Sequence, residues 1–242
     1  MDESGIPTTA PRRARRWRSP WLRLGLPALM LAILTINVLV TGPLISTDQQ
    51  IQTTVHTLAN SPAWQWLWGP TRLIIQAADP VVAVTVLAVS ALTVSARRRS
   101  LRPLLTAAVA VTLLVVTVVP AKILIGRLSP GQRFLPPGAM GAFPSGHTTT
   151  ASVCYVLAVL PLLPYLPAWT RRIALAALAV WCLLVGFALV WQNLHWFTDV
   201  VAGWALAAII IQATLRLTRA GRTGPGAPPG VADERIASAS TT

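Results

Sequence analysis

The chain has 242 residues, 54% of them hydrophobic and 11% charged, with a mean hydropathy of +0.60. Those values exclude an ordinary soluble domain and indicate an integral membrane protein. The formal charge of +13 does not imply nucleic acid as a partner, because the arginines cluster between apolar runs, at 12–18, 97–102, 171–172 and 216–222, in the positive-inside pattern of a multi-span protein.

Residues 1–20 are basic and contain proline, and read as a disordered cytoplasmic N-terminus. The apolar run 22–44 is too long for the core of a signal peptide, and no small-residue cleavage site follows it. It is expected to be an uncleaved first span. Residues 45–72 form the first external segment, where Trp64, Trp66 and Trp68 suit an interfacial helix or lid at headgroup level. His56, alone in this segment, reads as a solvated side chain. The second span is expected at 73–96. Asp79 lies in its outer third, where an acidic group faces the bundle interior; it either pairs with an arginine or lysine near the site or hydrogen-bonds across helices.

The third span is expected at 103–125. Lys122, near its end, is the only lysine in the chain, and has either a specific task or snorkels to the interface. The Gly/Pro-rich loop 126–143 carries Arg127 and Arg133 on the face that should be poor in positive charge, which hints at an anionic ligand. The fourth span is expected at 147–166, with 169–172 as its inner turn, the fifth at 173–194 and the sixth at 198–215. Residues 217–242, rich in Gly, Pro, Ala and Ser, read as a disordered tail. The fold class is therefore all-α: a polytopic membrane bundle of about six spans over residues 21–216, with both termini cytoplasmic. Cys154 and Cys182 lie inside apolar runs and read as small core residues, not as a disulfide or metal pair.

Two polar events interrupt the apolar pattern. The first is Phe143-Pro144-Ser145-Gly146-His147, at the start of the fourth span. Pro144 suits the first turn of a helix and Ser145 can cap its open amides. Gly146 permits close approach to the backbone. Free N–H groups at a helix start make an anion site, and His147 adds a proton donor or acceptor. The second event is His195-Trp196-Phe197-Thr198-Asp199. The spacing of four puts Asp199 one helical turn from His195, where a carboxylate can fix the imidazole tautomer. So oriented, His195 is a candidate base, nucleophile or metal ligand; the bland alternative is an aspartate capping the sixth span. Six spans bring Lys122, His147 and His195 to one membrane face, and ionisable groups gathered there indicate function.

The order Lys122…Pro130, then Pro144-Ser145-Gly146-His147, then His195-x-x-x-Asp199 resembles the type-2 phosphatidic acid phosphatase family, kin to the vanadium haloperoxidases. The resemblance runs from about residue 122 to 204. It implies a metal-independent, cofactor-free membrane phosphatase acting on a phosphorylated lipid: phosphatidate, phosphatidylglycerol phosphate, or an isoprenyl phosphate or diphosphate. His195 would form a phosphohistidine, Asp199 would orient it, and His147 would protonate the leaving oxygen and then activate water. Lys122, Ser145 and the Gly146 amide would bind phosphate oxygens. The resemblance departs at two slots. Ser129 stands where the first motif has arginine, and Ala188-Leu189 where the third has Ser-Arg. Arg127 and Arg133 are near enough in sequence to join the phosphate site in their place, and Gln192 could donate from the face of Leu189. The cell membrane, with the site facing outward, is the expected location. A catalytically weakened relative that binds phospholipid headgroups or serves envelope assembly is the alternative; a transporter is a third, disfavoured by the lack of paired, broken spans.

Overall fold

The computed structural model describes residues 20–220. Among them are eight α-helices, two short 3-10 turns and no strand, so the bundle is all-α as expected. The predicted N-terminal disorder, and the tail beyond 220, lie outside the described residues. The helices are α1 (Pro20–Leu39), α2 (Leu44–Ala59), α3 (Trp68–Ala77), α4 (Pro80–Arg98), α5 (Arg102–Ile125), α6 (Gly146–Val159), α7 (Ala168–Trp191) and α8 (Phe197–Ala220). Among the described residues five stretches are long and apolar enough to cross a membrane, or six if the bent pair α1–α2 is counted as one span.

Two expected spans are built differently from the sequence reading. The run 22–44 is one helix only as far as Leu39, where α1 ends, and the chain then turns by 88° into α2. Thr41 takes φ 53° there and Pro43 follows, which lacks the N–H that would continue the helix. The expected span 73–96 is split at 78–79, between α3 and α4. Asp79 caps the new helix, its carboxylate accepting from the Val81 N–H at 2.8 Å, with Pro80 in the first turn. This carboxylate is a helix cap, rather than an ion-pair partner or a cross-helix link. Residues 171 and 172 were expected in a turn and instead sit in the first turns of α7.

The segment 44–77 is thus two helices joined by a short connector. Trp64 and Trp66 are exposed on that connector, while the Trp68 indole N–H donates to the Ala59 carbonyl at 2.8 Å. Side-chain bonds hold the segment to the bundle. Gln52 Nε2 donates to Asn193 Oδ1 at 2.5 Å, Gln192 Nε2 to Thr71 Oγ1 at 2.7 Å, and Tyr155 OH to the Ala77 carbonyl at 2.7 Å.

Helix α6 sits at the centre and touches α4, α5, α7 and α8. Its first half, Thr148 to Cys154, is made of small residues and is buried throughout. Lipid supplies no hydrophobic drive between helices, so close backbone approach through small residues does that work. A close crossing of α6 and α8 is at Gly203 of α8, where a Cβ would lie 3.0 Å from Thr148 Cβ and 3.1 Å from the Ser145 carbonyl oxygen. Leu87, Leu114, Leu157 and Ile210 fill the core between α4, α5, α6 and α8. Val81, Val89, Val116 and Leu124 face outward, as a lipid-contacting surface requires.

Candidate active site

The two polar motifs open two helices that meet head to head. At α6, Ser145 is the N-cap; its Oγ accepts from the Thr148 N–H at 3.3 Å and from Thr148 Oγ1 at 2.9 Å. Pro144 stands one residue ahead of that cap, outside the first turn where it was expected. The Ser145 N–H donates to the Asp199 carbonyl at 3.0 Å, which stitches the α6 motif to the start of α8. Thr149 Oγ1 adds a bond to the Ser145 carbonyl at 2.7 Å and one to the Gly203 carbonyl at 3.3 Å.

At α8, Asn193 turns the chain with φ 60°, a conformation that asparagine tolerates, and delivers His195. Asp199 is fully buried. Its Oδ2 accepts from the Trp196 N–H at 3.1 Å and faces His195 Nδ1 at 3.5 Å. That separation is long for a hydrogen bond, and His195 Nδ1 has no other partner among the described residues. One carboxylate thus accepts the Trp196 N–H at the start of α8 and stands beside His195 Nδ1.

Behind this pair lies a network that sequence spacing did not reveal. Arg127 Nη1 donates to Asp199 Oδ1 at 2.5 Å and to Thr198 Oγ1 at 2.8 Å. Its Nη2 donates to Asp48 Oδ2 at 2.7 Å, and its guanidinium stacks over the Trp196 ring. Asp48, from α2, is 1% exposed. It also accepts from the Thr198 N–H at 3.0 Å and from Thr198 Oγ1, so a carboxylate some 150 residues away in sequence caps α8. A guanidinium held by two buried carboxylates satisfies charges that would otherwise be costly to bury. The sequence signal for Asp48 is its rarity, as one of only seven acidic residues in the chain.

A cavity of about 440 Å³ opens at this end of the bundle, lined by Lys122, Ser129, Gly141, Gly146, His147 and His195. Its remaining wall is apolar and includes Val84, Val111, Val115 and Val119, from α4 and α5. Lys122, His147, His195 and Gly146 are therefore brought together, with Asp199 directly behind His195. Three expected phosphate ligands are not in this lining. Arg127 is committed to Asp48 and Asp199. Arg133 is exposed on the loop. Ser145 is fully buried, its hydroxyl oxygen engaged as the α6 cap. Gln192 does not replace the missing arginine either, because its amide N–H groups go to the Trp68 carbonyl and Thr71 Oγ1. Leu189 is buried in an apolar cluster with Ala151, Val185 and Val200, where a guanidinium would find no acidic partner.

The loop 126–142 closes back on itself to form the cavity rim. Gly126 ends α5 with φ 58°. The Gly141 N–H donates to the Lys122 carbonyl at 3.1 Å and the Ala142 N–H to the Arg127 carbonyl at 2.6 Å. A Cβ at Gly141 would lie 2.7 Å from the Arg127 backbone nitrogen, so glycine is needed for the two strands of the loop to touch.

The PAP2 superfamily profile matches residues 103–222, a stretch that holds Lys122, the Ser-Gly-His turn and the His195–Asp199 pair. The chain belongs to the PAP2 superfamily. It is a membrane-embedded member of a lipid-phosphatase family. Its fold is shared with the crystal structure titled the first transmembrane PAP2 type phosphatidylglycerolphosphate phosphatase from Bacillus subtilis. The TM-score is 0.70 at 21% sequence identity, over 85% of this chain and 99% of that one. Comparison with curated proteins finds no match. No arginine lines the cavity among the described residues, and Lys122 is its one lysine.

Proposed function

We propose that this PAP2 member hydrolyses a lipid phosphate at one membrane face through a phosphohistidine on His195. The observation that carries the reading is one cavity lined by Lys122, His147 and His195 with Asp199 behind the nucleophile. In this scheme Asp199 keeps the proton on His195 Nδ1, which leaves the Nε2 lone pair free to attack phosphorus. The N–P bond forms as the bond to the lipid oxygen breaks, and His147 gives that oxygen its proton. His147 then takes a proton from water, water attacks phosphorus, and the N–P bond breaks to release phosphate. Lys122 and the Gly146 amide at the α6 N-terminus neutralise the oxygens in the transition state. No step requires a metal.

The substrate class is a phosphorylated lipid: phosphatidate, phosphatidylglycerol phosphate, or an isoprenyl phosphate or diphosphate. The apolar wall between α4 and α5 supports it, since acyl or prenyl chains can remain beside Val111 and Val115 while the headgroup reaches His195. The named activity of the Bacillus subtilis neighbour is in keeping with this class. The proposed location is the cell membrane, with both termini cytoplasmic and the cavity facing outward, which the arginine clusters at the opposite end of the bundle favour.

The second reading, a headgroup binder without turnover, draws on the two lost arginines, replaced by Ser129 and by the buried Leu189. Phosphate release from a panel of lipid phosphates, with EDTA present, separates the two. Activity is expected in the parent and should fall by roughly 10³-fold or more in His195→Ala. Equal release by parent and variant, or none from any lipid, would defeat the proposal.

A further inference from the structure

A larger cavity than the one described above lies elsewhere in the bundle. A space of about 650 Å³ lies between the ends of α4, α5, α6 and α8, with Arg98, Arg102 and Arg219 around it and Ala91, Leu157 and Leu215 within. It occupies the opposite face of the molecule. Helix α4 runs from Pro80, which lines the His195 cavity, to Arg98, which lines this one. At the helical rise those ends are about 27 Å apart, close to the thickness of a bilayer core.

Three features single this space out from a simple gap between helices. First, Arg98 is pre-oriented: its Nε donates to Tyr165 OH at 2.9 Å and its Nη2 to the Pro161 carbonyl at 2.7 Å, and it lies over the Tyr165 ring. Neutral partners leave its charge uncompensated. Second, the acidic side chains of the described residues, Asp48, Asp79 and Asp199, all sit at the other end of the bundle. Third, the lining changes from guanidinium and the Ser100 and Thr106 hydroxyls to aliphatic carbon along one continuous wall. A ligand that matches this needs an anionic head and an apolar tail. A basic pocket between spanning helices is the chemistry that selects an anionic lipid headgroup.

We propose that this cavity binds one anionic phospholipid of the leaflet opposite to the His195 cavity, with its phosphodiester among Arg98, Arg102 and Arg219 and part of an acyl chain against Leu157 and Leu215. The lipid is a resident, not a substrate, because no histidine, cysteine or carboxylate lines the cavity among the described residues to attack phosphorus or to activate a hydroxyl there. The site fills space between four helices that together frame the catalytic face, so its occupancy should also stabilise the fold.

The test uses the full chain purified in detergent, with dioleoyl phosphatidylglycerol or phosphatidylcholine added, read by native mass spectrometry and by melting temperature. Phosphatidylglycerol, a phosphodiester with a net negative charge, should be retained and should raise the melting temperature; phosphatidylcholine, a zwitterionic phosphodiester, should do neither. Arg102→Gln/Arg219→Gln changes two exposed side chains and leaves the Arg98 bonds intact. It should bind phosphatidylglycerol about 30-fold more weakly, the size expected for two cations at a charged lipid surface. Thr106→Phe, which fills the cavity without altering charge, should weaken retention as well. Lys122→Met should leave it unchanged. Retention that survives both cavity variants, that disappears in Lys122→Met, or that soluble glycerol phosphate competes away would overturn the proposal. None of these results depends on phosphate release, so the outcome is separate from that of the His195→Ala assay.

Discussion

Arg127 does not line the cavity but ties Asp48 to Asp199, the carboxylate behind His195. Its guanidinium is 9% exposed and is fixed between carboxylates that are 1% and 0% exposed. Arg127→Met would leave Asp48 and Asp199 as neighbouring buried charges, and should cost about 3–5 kcal/mol of stability, measurable by chemical or thermal unfolding. Asp48→Asn is milder. It retains the shape but weakens the hold on Arg127, and kcat should fall by about tenfold with KM little changed, because Asp48 touches positioning groups and not the substrate. An unchanged kcat would place the α2 carboxylate outside the catalytic assembly. Lys122 is the contrasting case, since it lines the cavity itself. Lys122→Met should lower kcat/KM by about 10–150-fold, the loss of one charge-assisted contact, whereas Arg133→Ala, exposed on the loop, should change it by less than about twofold. Equal effects would mean that the loop folds inward when substrate binds.

At the level of elements, position is set by helix starts and by the loop that joins α5 to α6. Both motif helices are capped at the site end: α6 by Ser145, α8 by Asp199 and by Asp48 from outside its own sequence neighbourhood. The loop is held by backbone bonds to the Lys122 and Arg127 carbonyls. Gly141→Ala tests that contact, because the added Cβ would meet backbone atoms at 2.7 and 2.8 Å and neither can give way as a side chain would. The expected result is a loop displaced by tenths of an ångström, a stability loss of about 1–3 kcal/mol, and activity reduced more than the melting temperature implies, because Arg127 moves with the loop. Activity that merely tracked stability would argue against the loop as a positioning element.

At the scale of the whole molecule, an apolar cleft between α4 and α5 joins the polar cavity to the lipid-facing surface. Val115 lines that cleft and is 54% exposed, so a larger side chain fits there without disturbing the core. Val115→Trp should raise KM for long-chain lipid phosphates by about fivefold or more while leaving short-chain, water-soluble analogues within about twofold, as uniform binding of the tail is lost. Equal effects on both would show that chains enter elsewhere. Apolar runs and arginine clusters carried the membrane class and the span count in the chain itself, because hydrocarbon demands long apolar helices whatever they pack against. The spacing of Lys122, His147, His195 and Asp199 was local enough to read as well, since each lies at a helix end marked by polar residues. What spacing could not supply was the 88° turn that carries the chain from α1 into α2, the commitment of Arg127 to two carboxylates, and the arrival of Asp48 at the start of α8. Those depend on which helices become neighbours, and only packing of the folded chain decides that.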